Sequence, residues 1–232
     1  MKLGIMQPYV FPYIGYFQLL QSADKFVFLD DVNFINRGWI NRNRILVNGK
    51  ANLFTVPLQN SSQNRLINEI AIADTRWQDG ILKTIEMAYR KAPQFEPVFS
   101  LIKEVFYFPA TNIADLARQS IKSVCLYLEV TTKIIDSSGR YNNKDLKGED
   151  RIIDINEKEG ATDYINPIGG TELYQPEKFS AKGIKLYFLQ TKEITYPQRN
   201  NEFVPHLSII DVVMYNDKEA VQQYLNEYNL IN

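Results

Sequence analysis

The densest group of polar and aromatic side chains lies in residues 7–17, where the first predicted strand passes into the first predicted helix. Ligands of open α/β sheets bind at the carboxyl ends of strands, and helix N-termini at that edge attract anions. Two prolines preset the backbone here, and Gly15 would let a ligand approach closely. We therefore expect Gln7, Tyr13 and Tyr16 to contact a substrate. The alternative is an aromatic-rich structural turn.

Two adjacent carboxylates, Asp30 and Asp31, follow the second predicted strand. Carboxylates at the carboxyl edge of a sheet can hold a cation, accept a hydrogen bond from a sugar hydroxyl or act as a general base. Successive strand residues point to opposite faces of the sheet, so the two carboxylates are expected to differ in role. The alternative is that they cap a helix or a loop.

Three arginines alternate with asparagines around one tryptophan in residues 36–44. A guanidinium group can donate to two oxygens of a phosphate or carboxylate at once. In an extended conformation Arg42 and Arg44 would lie on one side of the strand, and Asn41 and Asn43 on the other. The cluster predicts an anion subsite, with the phosphate of a nucleotide or nucleotide sugar as the expected ligand. The alternative is a solvated basic edge.

Three later residues occupy positions where a predicted strand meets a predicted helix or loop. Ser137 follows one strand, Arg151 lies in the first turn of the next helix, and Asn166 ends the strand after that. Serines and a helix N-terminus favour phosphate binding, so we expect these three residues to bind substrate. The single histidine, His206, precedes an apolar helix, which is typical of a structural role at the helix start.

The composition excludes several classes of protein. Among 232 residues, 26 Lys and Arg oppose 27 Asp and Glu, and this net charge of −1 lacks the basic excess of nucleic-acid-binding proteins. One cysteine excludes an intramolecular disulfide and multi-cysteine zinc sites, and one histidine excludes sites that need two histidines, so no metal site is predicted. No apolar window of about 18 residues occurs, and Pro8 interrupts the first apolar run before a signal-peptide core could form. We expect a cytoplasmic protein with no membrane span and no nucleic-acid partner.

Alternating strand and helix patterns predict the elements that position these residues. Strands are predicted at residues 3–6, 25–29, 45–47, 53–56, 69–73, 130–135, 163–166 and 184–190. Helices are predicted after Pro12, in three segments between residues 77 and 128, at 148–159 and, as one or two helices, in 208–225. Asn48-Gly49 between two of the strands indicates a hairpin.

This alternation predicts an α/β fold, namely a Rossmann-like parallel sheet with an inserted β-hairpin and a helical subdomain. We expect residues 1–232 to form one domain, with the helical insert at about residues 75–128.

The chain resembles the WbqC-like protein family in residues 7–17, 28–34, 39–45 and 55–58. The resemblance continues, with fewer matches, through residues 137–138, 148–151, 164–167 and 207–211, and so covers nearly the whole chain. Tyr13 stands where the family often has tryptophan. The resemblance implies an association with gene clusters for surface polysaccharide of the O-antigen type, that is, with lipopolysaccharide biosynthesis. For some members it implies a transferase that places glycine or another acyl group on an amino sugar, and it carries over no catalytic residues.

A more distant likeness is to the opening of the HxGH nucleotidylyl transferases, including pantothenate synthetase. Tyr13 and Tyr16 stand at the two histidine positions of that motif. A tyrosine hydroxyl can donate one hydrogen bond but carries no positive charge near pH 7. The likeness therefore implies a shared fold and argues against adenylyl transfer.

The leading hypothesis is a nucleotide-sugar modifying transferase that moves an acyl or aminoacyl group onto a sugar amine. Asp30 or Asp31 would accept the proton of the amine. Tyr13, Tyr16 or Asn41 would donate to the acyl carbonyl and polarise it. Arg42 and Arg44 would bind the phosphate. One alternative is HxGH-like nucleotidylyl transfer or ATP-dependent carboxylate activation, with ATP and Mg²⁺ as candidate cofactors. Another is a non-enzymatic nucleotide-sugar-binding partner of a glycosyltransferase complex.

Overall fold

Eight strands and eight α-helices form within residues 1–199 and 202–232, which the computed structural model describes. The strands are β1 (Lys2–Met6), β2 (Lys25–Phe28), β3 (Arg42–Val47), β4 (Lys50–Thr55), β5 (Lys133–Ile135), β6 (Asp163–Pro167), β7 (Lys185–Thr191) and β8 (Tyr228–Ile231). The helices are α1 (Ile14–Ser22), α2 (Trp77–Tyr89), α3 (Phe95–Phe106), α4 (Ile113–Tyr127), α5 (Gly148–Glu159), α6 (Pro176–Ser180), α7 (Ile209–Tyr215) and α8 (Lys218–Tyr224). Single 3₁₀ turns lie at Ile67–Glu69, Ser138–Tyr141 and Ile168–Gly170.

The main sheet has six strands in the order β5-β2-β1-β6-β7-β8. The first five are parallel, and β8 pairs antiparallel with β7. This is the strand order of a doubly wound sheet, in which the chain moves to one side of β1 through β2 and β5 and then to the other side through β6 and β7. The predicted α/β, Rossmann-like fold is confirmed.

A separate two-stranded sheet contains β3 and β4. The predicted Asn-Gly turn is present, with φ of 51° at Asn48 and 74° at Gly49, as a two-residue primed turn requires. The hairpin is fastened to the loop after β1, because the Val10 amide donates to the Ile40 carbonyl at 3.0 Å.

Both faces of the main sheet are covered by helices that turn apolar side chains towards it. On one face Phe26 and Phe28 belong to a core that also contains Phe17 of α1 and Ile121 of α4. On the other face Ile5, Val27 and Tyr164 pack with apolar side chains of α5 and α6, namely Ile152, Ile155 and Phe179. None of the helices in the described part of the chain is long and apolar enough to cross a membrane.

Several local predictions agree with the structure. The Asn112 side chain accepts from the Asp115 amide at 3.0 Å and begins α4, as the spacing of these two residues predicts. Helix α5 spans the predicted residues and ends at Gly160, whose φ is 69°. The helices α2, α3 and α4 occupy the predicted helical segment, while the description of residues 1–232 as one domain stays a prediction.

Other local predictions are wrong or incomplete. The strand predicted at residues 69–73 does not form, because Ala71 and Ile72 make only isolated bridges, to Asn112 and Leu58. Strand β5 is shorter than the strand predicted at residues 130–135 and starts at Lys133. Strand β8 and the one-turn helix α6 had no counterpart in the prediction.

Candidate functional site

The carboxyl ends of β1, β2, β5 and β6 lie along one edge of the main sheet. The chain leaves β1 and β6 towards opposite sides, and ligands of open α/β sheets bind at such a reversal point. The predicted site residues found at this edge are Gln7 after β1, Asp30 and Asp31 after β2, Ser137 after β5 and Asn166 near the end of β6.

Asp30 is buried and has both carboxylate oxygens occupied. Oδ1 accepts from the Ser137 hydroxyl at 2.7 Å, and Oδ2 forms an ion pair with Arg118 of α4. Arg118 also pairs with Asp115 and donates to the Asp136 carbonyl at 3.1 Å. Both oxygens of Asp30 thus already accept a hydrogen bond, and these bonds tie Asp30 to β5 and α4.

Asp31 is equally buried but has one oxygen free. Oδ1 accepts from the Ser138 hydroxyl and from Arg151 Nη2 at 2.6 Å, while Arg151 Nε donates to Asn143 Oδ1 at 3.0 Å. Oδ2 has no hydrogen-bond partner in the described part of the chain. It faces Gly139, where a Cβ would lie 3.8 Å away, so no side chain covers it from that residue. A buried acceptor without a partner costs about 1–3 kcal/mol, which makes this oxygen a candidate ligand contact.

The loop of residues 7–13 is held in a strained conformation at Phe11. This buried residue has a φ of 44°, which is unusual for a bulky side chain. Hydrogen bonds hold its backbone in this conformation. The Phe11 amide donates to Ser120 Oγ at 2.9 Å, and the Phe11 carbonyl accepts from Asn43 Nδ2 and Ser208 Oγ, both at 2.7 Å. Three separate elements thus fix this loop, and such strain is concentrated at functional sites.

The two predicted catalytic tyrosines have different environments. Tyr16 is buried, and its hydroxyl donates to the Gln7 carbonyl at 2.9 Å, so this hydroxyl stabilises the loop. Tyr13 is 39% exposed. Its ring covers Gly15, where a Cβ would lie 2.3 Å from Tyr13 Cε2. The expectation that Gly15 admits a ligand is therefore wrong, since the Tyr13 ring fills that space.

Three polar side chains of this loop remain without hydrogen bonds to the described residues. They belong to Gln7, Tyr9 and Tyr13, and all three are at least partly exposed. Burial raises the pKa of Tyr9 to about 12, with a smaller contribution from Tyr13, and desolvation also raises the pKa of Tyr13. Both hydroxyls are therefore neutral at pH 7 and can donate to a ligand.

The arginine and asparagine run, residues 36–44, leads into the first strand of the hairpin, next to the loop of residues 7–13. Asn41 Nδ2 donates to the Val56 carbonyl at 2.8 Å and is used in joining β3 to β4. Arg42 Nε donates to the Gly38 carbonyl at 2.8 Å, whereas Arg44 is exposed. No hydrogen bond or ion pair joins these residues to Asp30 or Asp31. That the two groups of residues line a single pocket stays a prediction.

The structure gives Asn166 and His206 surroundings that the sequence did not predict. Asn166 is buried, accepts from the Tyr164 hydroxyl at 3.1 Å and donates to the Pro167 carbonyl at 3.0 Å, so its amide is used within its own strand end. His206 is exposed with a φ of 58° and makes no hydrogen bond to the described residues. The helix start nearby is provided by Ser208, whose hydroxyl accepts from the Ile210 amide at 3.2 Å.

Sequence reasoning missed the residues that hold the two aspartates. Arg118 and Asn143 were not among the predicted site residues, whereas Ser138 adjoins the predicted Ser137. Only the spacing of Asp115 and Arg118 on one helix face indicates an ion pair. Within residues 1–199 and 202–232, no group of three or more His, Cys, Asp or Glu side chains is placed to hold a metal ion. Two surface cavities, of about 390 and 280 Å³, contain none of the predicted site residues.

Comparison with known proteins places this chain in a family. It matches the WbqC-like protein family over residues 7–223. It is 28% identical over 222 residues to the uncharacterized protein Rv1507c of Mycobacterium tuberculosis, an alignment that covers 94% of this chain and 95% of that protein. No solved structure is significantly similar to it. The family match covers most of the described fold and both polar groups, and the chain belongs to the WbqC-like protein family.

Proposed function

We propose that this protein is a transferase that moves an acyl or aminoacyl group onto the amine of a nucleotide-linked sugar. Membership of the WbqC-like family loosely supports a role associated with polysaccharide biosynthesis. The doubly wound sheet supports a ligand at the carboxyl ends of β1, β2 and β6. The observation that carries the proposal is the free, buried Oδ2 of Asp31 at that edge.

The proposed reaction needs a proton acceptor close to the amine. The neutral amine nitrogen attacks the carbonyl carbon of an activated acyl donor, a new C–N bond forms, and the bond from the acyl carbon to its leaving group breaks. Asp31 Oδ2 would take the proton that the nitrogen loses and pass it to the leaving group. Asp30 is less suited, because Ser137 and Arg118 occupy both of its oxygens.

The developing negative charge on the acyl oxygen requires a hydrogen-bond donor. Of the three donors that the sequence suggests, the Tyr16 hydroxyl is bonded to Gln7 and the Asn41 amide to Val56. The Tyr13 hydroxyl has no partner in the described residues, and its raised pKa keeps it protonated. We therefore assign this role to Tyr13, with Gln7 as a second polar contact to the substrate.

A matched pair of variants tests the proposal. The purified protein is incubated with uridine- and guanosine-diphosphate-linked amino sugars and a set of acyl and aminoacyl donors, and products are detected by mass spectrometry. Asp31→Asn replaces the free acceptor with a donor but also removes the counter-charge of Arg151, so its fold is first compared with wild type by circular dichroism. In folded protein it should slow formation of the N-acyl sugar by about 100-fold or more. Asp30→Asn disturbs an equally buried ion pair and should retain most of the activity.

Other outcomes would contradict the proposal. Equal rates in wild type and Asp31→Asn would remove Asp31 from the reaction. If no donor is consumed while nucleotide sugars raise the melting temperature, the protein is a binding partner and not a transferase. Release of diphosphate from ATP in the presence of Mg²⁺ would indicate nucleotidylyl transfer or carboxylate activation instead.

A further inference from the structure

The hairpin region has a charge imbalance that the rest of the chain does not share. Residues 32–68 contain no Asp or Glu, although the whole chain has a net charge of −1. The same residues contain five cationic side chains, those of Arg37, Arg42, Arg44, Lys50 and Arg65. A local excess of positive charge in a near-neutral protein favours binding of an anion at this surface.

Arg44 is presented in a way that suits an oxyanion. Its Cζ lies 5.0 Å from the centre of the Trp39 ring, and it makes no side-chain hydrogen bond and no ion pair with the described residues. A guanidinium group over an aromatic face keeps its N–H donors free, because they point outward in its own plane. Trp39 therefore holds Arg44 without using any of its donors.

Arg42 has a supporting role in the same cluster. Its Nε donates to the Gly38 carbonyl at 2.8 Å, and its Nη2 donates to the Arg37 carbonyl. Its Cζ lies 5.8 Å from the Trp39 ring centre. Arg42 thus fixes the loop that carries Trp39, and Trp39 fixes Arg44.

The cluster lies beside the loop of the proposed site. The Arg44 carbonyl accepts from the Ser208 amide, and the Pro12 carbonyl accepts from the next amide, that of Ile209, both at 2.8 Å. Arg44 and Pro12 therefore flank the same turn, and Tyr13 follows directly after Pro12. A molecule that contacts Tyr13 could reach Arg44 with a charged extension.

We propose that Arg44, held by Trp39, binds the phosphate groups of a nucleoside diphosphate. This inference rests on the proposed function and names the part of the nucleotide sugar that the hairpin recognises. A diphosphate fits because one phosphoryl group occupies the free donors of Arg44 while the second is attracted by Arg37 and Arg42. A longer polyanion fits less well, since the chain as a whole carries no positive charge.

Tryptophan fluorescence provides a direct test, because the chain has two tryptophans and Trp39 is 40% exposed. In a Trp77→Phe background Trp39 is the only reporter. Inorganic diphosphate and uridine diphosphate should each cause a saturable change, and uridine should cause none. Arg44→Gln should weaken binding at least about tenfold, and Arg44→Lys should recover part of it. Arg90→Gln, an exposed arginine at the end of α2, is the matched control and should bind normally.

Calorimetry on the chain with both tryptophans repeats the titration without relying on the Trp77→Phe background. Unchanged affinity in Arg44→Gln, no binding of either diphosphate, or binding of only an oligonucleotide or an anionic vesicle would overturn the inference. Asp31→Asn should bind diphosphate normally. A loss of acyl transfer with intact diphosphate binding therefore concerns the proposed function alone, whereas acyl transfer without diphosphate binding rejects the Arg44 assignment alone.

Discussion

Arg151 holds Asp31 by two hydrogen bonds, from Nη2 to the carboxylate Oδ1 at 2.6 Å and from Nη1 to the backbone carbonyl at 3.2 Å. The two residues are 120 positions apart in the chain and both are buried. The ion pair connects the end of β2 to α5. It also orients the carboxylate so that its other oxygen faces Gly139.

Removing this arginine should destabilise the fold strongly. Arg151→Met leaves the Asp31 carboxylate buried without a counter-charge, and we expect the free energy of unfolding to fall by about 3–5 kcal/mol in urea denaturation. Lys182→Met removes an exposed ion pair with Glu157 and should change it by less than about 1 kcal/mol. Equal effects of the two substitutions would show that the Asp31–Arg151 pair does not contribute as proposed.

A methyl group at position 15 should be more favourable after Tyr13 is removed. Gly15→Ala would place a Cβ 2.3 Å from the Tyr13 ring, so this 39% exposed side chain must rotate away, and we expect the change to cost up to about 1 kcal/mol. In a Tyr13→Ala background the same change should stabilise the protein by about 0.5–1 kcal/mol, because alanine is the better helix former in α1. Thermal or urea unfolding of the four proteins measures both values. The same sign in both backgrounds would contradict the predicted contact.

Asp211 should make the protein less stable as the pH rises. Its oxygens accept from Tyr89, Tyr196 and Gln198 at 2.7–2.8 Å, and it forms no ion pair with the described residues. Burial raises the pKa of Asp211, and these hydrogen bonds offset the shift only in part. The folded state therefore binds the proton more tightly than the unfolded state, whose pKa is near the ordinary 3.8. The contribution of Asp211 to the free energy of unfolding is therefore most favourable below about pH 3.8 and declines as the pH rises to the raised pKa of the folded state.

The measurement compares wild type with Asp211→Asn in urea at several values between about pH 4 and 7. The free energy of unfolding of wild type minus that of Asp211→Asn should fall as the pH rises. Tyr196→Phe removes one donor to the carboxylate and should steepen the fall. A difference that rises with pH would show that the folded state lowers the pKa of Asp211.

Cys125 should be chemically inert in the native protein. It is 4% exposed on α4, and burial raises the pKa of its thiol to about 12, so almost no thiolate exists at neutral pH. A disulfide reagent at pH 8 should label it slowly in buffer and rapidly in denaturing urea. Cys125→Ser should retain whatever ligand binding the wild type shows. Rapid labelling without denaturant would contradict the prediction.

The sequence by itself determined the elements whose signals are local. Residues 3–6 are an apolar run closed by Gln7-Pro8, Asn48-Gly49 can adopt the positive φ angles of a tight turn, and Gly160 can end α5 in a left-handed conformation. Each signal depends on a few neighbouring residues, and the structure has the strand, turn and helix end where these signals predict them. The alternation at residues 69–73 resembles a strand for the same local reason, but no neighbouring strand is available there and only single bridges form.

The tertiary structure alone decided which polar groups remain available to a ligand. Arg42 and Arg44 have the same side chain and lie on the same side of β3, yet Arg42 reaches two backbone carbonyls while Arg44 lies over Trp39 with its donors free. Asp30 and Asp31 differ in the same way, because the partners of Asp30 occupy both of its oxygens and those of Asp31 occupy one. These partners come from distant segments, so their positions depend on strand order and helix packing, which no local pattern of residues encodes.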